Sequence, residues 1–160
     1  MAKEKKTNAM RLLDKEKITY ETYTYDSEDG KIDGVSVAHK ISKDIHLVYK
    51  TLVAKGASKE YFVYIVPVWH ELDLKKAAKA VGEKKIELIP VKDILGITGY
   101  IRGGCSPVGM KKLFHTVIDA SAESLPSIIV SGGKIGIQIE LAVEDLLKVT
   151  KGALAELVIK

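Results

Sequence analysis

The chain has 160 residues, a length that suits one domain able to bury about two thirds of the surface its unfolded form exposes, so residues 1–160 are expected to form a single unit. Its 25 Lys and Arg against 21 Asp and Glu leave a formal net charge of +4, an excess that points only weakly to a polyanionic partner and that solvated surface lysines explain as well. A single cysteine, Cys105, excludes an intrachain disulfide, and neither an apolar leader nor a window of about 18 apolar residues is present, so a cytoplasmic protein with no membrane partner is expected.

Taken in chain order, Thr7 is placed to cap a first helix whose apolar residues Ala9, Met10, Leu12, Leu13 and Ile18 recur at roughly helical spacing, with Lys17 closing its last turn. The alternating run 19–25 (TYETYTY) predicts a strand, and the polar, glycine-punctuated stretch 26–34 a loop. Ser36 is read as the cap of a short helix through Lys43. The β-rich runs 47–54 and 61–66, joined by KGASKE, predict a hairpin. A helix is expected over 73–81, with Leu74, Ala77, Ala78 and Val81 inward, Asp73 at its positive end and Gly82 as its left-handed stop. Short strands at 86–88, 116–118 and 128–130, an alternating strand over 135–141, a helical turn from Pro90 to Leu95, a helix over 143–149 and a closing strand over 154–159 complete the reading. Strands outnumber helices and follow one another late in the chain. An α+β fold with a mixed, largely antiparallel sheet and flanking helices therefore fits better than a doubly wound parallel one.

Conventional catalytic sets are missing. His39, His46, His70 and His115 are dispersed without metal-binding spacing, and no second cysteine exists, so no metal site and no cofactor are expected. Two glycine pairs, Gly103-Gly104 in TGYIRGGCSP and Gly132-Gly133 in VSGGKIG, stand at strand ends and predict tight bends or close approach of a ligand to backbone N–H groups. Lys50 lies inside the apolar run VYKTLVA. A lysine there either snorkels to water or faces a cavity that uses its charge. Cys105 sits in the glycine turn beside Ser106, where strand-end N–H groups would lower a thiol pKa, so the residues alone leave a nucleophilic role open.

These three segments, with LDLKKAAKAVGEKKIEL between them and GIQIELAVEDL after them, occur in an order and spacing that resembles the YbaK/EbsC family of aminoacyl-tRNA editing proteins, relatives of the editing domain inserted in some prolyl-tRNA synthetases. The likeness covers nearly the whole chain. It implies a curved mixed sheet with helices packed outside. It also implies that Lys50, in the KTL motif, is the family's essential lysine, holding the 3′ end of the substrate by charge, and that Thr51 beside it contacts substrate. Gly103 and Gly104 would supply oxyanion donors, Ser131, Tyr25 and Gln138 would line the substrate site, and Cys105, standing where relatives carry an aliphatic residue, would be a small apolar side chain of the turn and not a nucleophile. The chain departs from the family pattern in three places. Gln138 stands where an aspartate is common, Ile135 where an arginine is usual, and a loop phenylalanine is missing near Ile32 or Asp33. The first two changes remove charge. An amide still hydrogen-bonds but cannot pair with the substrate ammonium.

The activity the resemblance implies is removal of cysteine from mischarged Cys-tRNA(Pro), acting in trans, by attack of the cysteine thiol on its own ester. The partners would be aminoacylated tRNA(Pro) and, in a ternary complex, prolyl-tRNA synthetase. Two rival readings stay open: a deacylase of another small amino acid, such as Ala-tRNA(Pro), using water, and a non-catalytic module that binds the aminoacyl-tRNA.

Overall fold

A computed structural model describes residues 6–159; of the basic N-terminal residues, Lys3 and Lys5 lie outside that range. The first helix, α1 (Asn8–Lys15), starts where expected because the Thr7 hydroxyl accepts the Met10 N–H at 3.2 Å. It stops two residues before Lys17, whose positive φ of 59° turns the chain out. Strand β1 (Tyr20–Thr24) follows, then α2 (Gly34–Lys40). Its cap is Asp33, not Ser36: the Asp33 carboxylate accepts the Ser36 N–H at 3.1 Å. Both residue types cap well, and the aspartate lies three residues earlier, at the distance from which a side chain reaches back to the third helical N–H.

Strands β2 (Tyr49–Gly56) and β3 (Tyr61–Pro67) form the expected antiparallel hairpin. Helix α3 (Leu74–Val81) is capped by Asp73, which accepts from the N–H groups of Lys75 and Lys76, and ends at Gly82 with φ 71°. Ala77 and Ala78 are buried beneath it, with the Tyr64 hydroxyl donating to the Ala77 carbonyl at 2.9 Å. Leu74 shares their face yet is 43% exposed, against expectation. Periodicity fixes a helix face, but burial also needs an element beneath it.

After β4 (Ile86–Leu88) the chain makes a 3-10 turn and helix α4 (Ile94–Thr98), a turn longer than the sequence pattern indicated. The rest is β5 (His115–Asp119), β6 (Ser127–Lys134), β7 (Ile137–Ala142), α5 (Val143–Thr150) and β8 (Ala153–Ala155). The closing strand is shorter than the run 154–159. The Leu157 N–H is taken by the Asp119 carboxylate at 2.9 Å instead of a ladder carbonyl, and only a single bridge, Leu72 to Val158, continues the pairing.

The α+β class holds, with the strands divided between two sheets. One is antiparallel, in the order β1-β7-β6; the other is mixed, in the order β4-β2-β3-β5-β8, with β3, β5 and β8 mutually parallel. A bridge between Val48 and Ile129 joins them. The main core, with Leu13, Tyr49, Ile65, Ile118, Ile128, Ile139 and Leu146, fills the space between the small sheet, α1, α5 and one face of the large sheet. A second core under α3 holds Tyr64, Val66, Ile86 and Leu157. No helix among the described residues is long and apolar enough to cross a membrane.

Candidate active site

Strand β2 pairs with β3 along its whole length but with β4 only from Ala54 to Gly56. Its first half therefore keeps one free edge, where the chain crosses to the small sheet at Val48. A cavity of about 200 Å3 lies along that edge, and Tyr49, Lys50, Thr51 and Leu52 all line it. Alternation would put only every second residue on one face; an open edge admits residues from both. The small sheet contributes Ser131 and Gln138, which are register partners on β6 and β7. The glycine-rich turn contributes Arg102, Gly103 and Cys105, and the loop before α2 contributes Ile32.

Three polar side chains of this cavity lack hydrogen-bond partners among the described residues. The Lys50 ammonium makes no hydrogen bond or ion pair with any described residue, and burial pushes its pKa below the ordinary lysine range, partly offset by the Glu71 carboxylate. The Thr51 hydroxyl is buried and bonded to nothing among the described residues. Gln138 is 6% exposed, and its amide is likewise without a partner among them. Native structures satisfy the great majority of buried polar atoms, so the Thr51 hydroxyl, the one such unpartnered atom in this wall among the described residues, stands out as a group free to bond a ligand. Ser131 is different: its Oγ accepts the Gly133 N–H at 3.3 Å, a bond that ties the turn.

The four glycines of the two pairs do not all do the same work. Gly103, at φ 83°, lines the cavity, and its N–H meets no acceptor among the described residues. Gly104 is buried outside the cavity wall, and its N–H already donates to the Ile101 carbonyl at 3.0 Å. A Cβ there would fall 2.9 Å from the Ile135 nitrogen, so this glycine lets two backbones touch and is not a free donor. Gly132 and Gly133 form an irregularity in β6 that packs against α1. The Gly132 carbonyl accepts the Thr7 hydroxyl at 2.5 Å, and a Cβ on Gly133 would meet the Tyr100 ring at 3.0 Å.

Tyr25 also stands outside the wall of the cavity, one residue beyond β1. Its hydroxyl is buried without a partner among the described residues, and the Lys40 ammonium lies 5.9 Å from its ring. Burial pushes the Cys105 thiol up to about 11, and its Sγ approaches the Thr98 hydroxyl at 3.9 Å. A thiol held protonated at neutral pH is a poor nucleophile. Sequence reasoning passed over Arg102, although it sits inside the glycine motif, and Gly34, whose bare Cα lets Val68 approach to 2.2 Å of where a Cβ would stand. With Lys50 and Arg102 and no carboxylate or histidine among its described lining, the cavity is cationic and offers neither of the commonest general bases.

A small cationic pocket between a strand edge and a glycine turn, built to hold something by charge and hydrogen bonds, defines a binding and positioning site. Residues 33–149 match the family described as the aminoacyl-tRNA editing domain, and the chain belongs to that family. Within it, the chain is 45% identical over 163 residues, spanning 100% of its own length and 99% of the relative's, to the Enterococcus faecalis protein named "Putative Cys-tRNA(Pro)/Cys-tRNA(Cys) deacylase EbsC". The fold is similar to that of a crystal structure described as "a putative trans-editing enzyme for prolyl tRNA synthetase", with a TM-score of 0.78, 20% identity and coverage of 88% and 87% of the two chains. It is also similar to that of hypothetical protein APE2540, with a TM-score of 0.86, 16% identity and coverage of 95% and 99%.

Proposed function

We propose that this protein is a cytoplasmic, single-domain deacylase that clears cysteine from mischarged tRNA, with Cys-tRNA(Pro) as its substrate. The relative's name supports this substrate class and adds Cys-tRNA(Cys) to it. One observation carries the mechanism: the cavity sets Lys50, the unpartnered Thr51 hydroxyl and Gln138 around a small space while offering no carboxylate or histidine to activate water. The nucleophile then comes from the substrate. The cysteine thiolate attacks its own ester carbonyl, a carbon–sulfur bond forms, the bond to the ribose oxygen breaks, and that oxygen takes a proton from solvent. The product is a cyclic thiolactone that later opens in water.

In this scheme Lys50 and Arg102 neutralise the RNA end, the Thr51 hydroxyl and the Gln138 amide orient the aminoacyl group, and the Gly103 N–H receives the developing oxyanion. Positioning of this kind accounts for large rate gains without proton abstraction by the protein. The enzyme needs no metal or cofactor for such a step. Prolyl-tRNA synthetase is the partner expected to supply the mischarged tRNA, since cysteine and proline are too similar in size to be separated by a binding pocket alone.

Gln138 supports a second reading. A neutral amide in place of a carboxylate recognises the substrate ammonium less strictly, so Ala-tRNA(Pro) with water as nucleophile is the competing substrate. Deacylation by the pure protein of tRNA(Pro) charged with Cys, Ala, Ser or Pro separates the two. Clearance of the cysteinyl ester alone supports the proposal, and preferential clearance of the alanyl ester overturns it. Binding of Cys-tRNA(Pro) without turnover would make the chain a binding module.

A further inference from the structure

A second cavity, larger than the first at about 540 Å3, takes no part in the chemistry above. It opens at one end of the five-stranded sheet, where the parallel strands β3, β5 and β8 finish at Pro67, Asp119 and Ala155. Crevices outside the carboxyl ends of parallel strands are recurrent ligand sites, and the volume lies within the range of pockets for small organic groups, about 300–1,000 Å3.

Its rim is aromatic. Trp69, the single tryptophan of the chain, is 45% exposed. It sits in a turn closed by the His70 N–H donating to the Pro67 carbonyl at 3.1 Å. The His70 ring lies against it with centroids 3.7 Å apart, and His46 stands edge-on at 4.9 Å. His46 is itself fixed, its Nδ1 2.7 Å from the Asp44 carboxylate. The indole is thus braced by two imidazoles while much of its surface stays open, as a stacking platform requires.

The floor is set before any ligand arrives. The Tyr49 hydroxyl bonds the Ser121 Oγ at 2.7 Å, the Asp119 carboxylate holds the N–H groups of Ser121 and Leu157, and the Lys76 ammonium donates to the Val158 carbonyl at 2.9 Å. The charged lining is Lys76 against Asp119 and Glu156. That balance disfavours a phosphate and favours a neutral, flat group bearing donors, such as a nucleobase amine or sugar hydroxyl.

Tyr49 lines this cavity and the Lys50 cavity alike, and the segment 67–69 contributes to both, Pro67 and Trp69 to this one and Val68 to the other. In an aminoacylated RNA end the base and the ester are carried by one ribose, so their two sites must be neighbours, as these two cavities on either side of Tyr49 are. We infer that the larger cavity receives the terminal nucleobase of the aminoacyl-RNA, stacked on Trp69, while the ester reaches past Tyr49 to Lys50. The inference rests on the reading of the chain as a deacylase of RNA-linked amino acids.

Trp69 fluorescence tests it directly, because no other tryptophan contributes. Adenosine and AMP should each quench it saturably, and cysteine methyl ester, which has no base, should not. Trp69→Ala should raise KM for Cys-tRNA(Pro) about fivefold or more, in line with the loss of one base–aromatic stack, with kcat within twofold of wild type. Trp69→Phe should restore most of the affinity. Thiol-dependent turnover of cysteine methyl ester should be unchanged in both variants. Absence of quenching by either nucleoside overturns the inference even if the protein deacylates Cys-tRNA(Pro). So does an equal effect of Trp69→Ala on the methyl ester and on the tRNA substrate. Quenching by prolyl-tRNA synthetase alone, with KM for the tRNA unmoved by Trp69→Ala, would assign the rim to a protein partner and overturn it as well. Saturable nucleoside quenching in a protein that proves inactive on every charged tRNA would sustain the base site while removing the proposed activity.

Discussion

Replacing Thr51 with valine sets stability against activity in one substitution. Thr51 pairs with Ile65 across the hairpin, in the middle of the strand, and its hydroxyl is buried with no partner among the described residues. Valine keeps the branched shape and nearly the volume, and it suits a strand equally well. A hydroxyl withdrawn from water without a hydrogen bond costs about 1–3 kcal/mol. Thr51→Val should therefore stabilise the fold by up to that amount, at ~2–4 °C of Tm for each kcal/mol in a chain of this size. If the hydroxyl is kept for the substrate, the same change removes one hydrogen bond from the bound ester, worth ~0.5–1.5 kcal/mol, or about a 2- to 12-fold loss in kcat/KM. Thermal or urea unfolding read beside deacylation of Cys-tRNA(Pro) gives both numbers from one preparation. A valine variant of lower Tm with undiminished kcat/KM would refute the reasoning, because the hydroxyl would then belong to the fold.

Lys50→Met should stabilise the protein at neutral pH, because the fold depresses the lysine pKa and so disfavours its charged form, while kcat/KM falls at least tenfold; retention of half the activity would remove the role given to the ammonium. Activity that depends on this ammonium is complete at low pH and lost as pH rises through its lowered pKa, below the ordinary 10.5, whereas the substrate thiolate grows up to about 8.5. A bell-shaped profile of kcat/KM is expected. Lys50→Arg should show lower activity without the alkaline fall, and a fall that persists in the arginine variant would assign it elsewhere. Gly103→Ala and Gly104→Ala should differ in kind. A methyl on Gly103 meets the movable Ile32 Cδ1 at 2.7 Å inside the cavity, whereas on Gly104 it meets the Lys134 and Ile135 backbone at 2.9–3.1 Å. The first, strained by its φ of 83°, should lower Tm and also lower kcat by more than that loss explains, whereas the second should lower Tm without a separate loss of kcat; the reverse pattern in kcat would restore Gly104 as the oxyanion donor. Cys105→Ala should leave turnover within twofold, and a folded but inactive variant would reopen covalent catalysis.

Local chemistry was legible in the sequence. Thr7, Asp73 and Gly82 mark helix ends because caps act over three or four residues, and Lys50 stood out because a charge inside an apolar strand needs a reason. Gly104 misled. Its sequence context matches that of Gly103, and only the packing of Ile135 above it decides that one glycine faces the cavity and the other faces backbone. The contrast between Thr51 and Ser131 was equally hidden, since a hydroxyl shows in the sequence but its partner does not. Least legible was the aromatic cavity, whose walls come from residues near positions 46, 69, 121 and 156 and meet only because β3, β5 and β8 end together.

The central claim is that the substrate brings its own nucleophile, and a side-by-side single-turnover measurement on Cys-tRNA(Pro) and Ser-tRNA(Pro), with the released product trapped early, tests it most directly. The two esters differ by one atom, so binding separates them little, while a thiol is a few per cent ionised at neutral pH and a hydroxyl hardly at all. The account expects the cysteinyl ester to be cleared far faster, the difference to lie in kcat, and a cyclic thiolactone to appear before free cysteine. Equal rates for the two esters, or ¹⁸O from water entering cysteine with no thiolactone on the way, would contradict it.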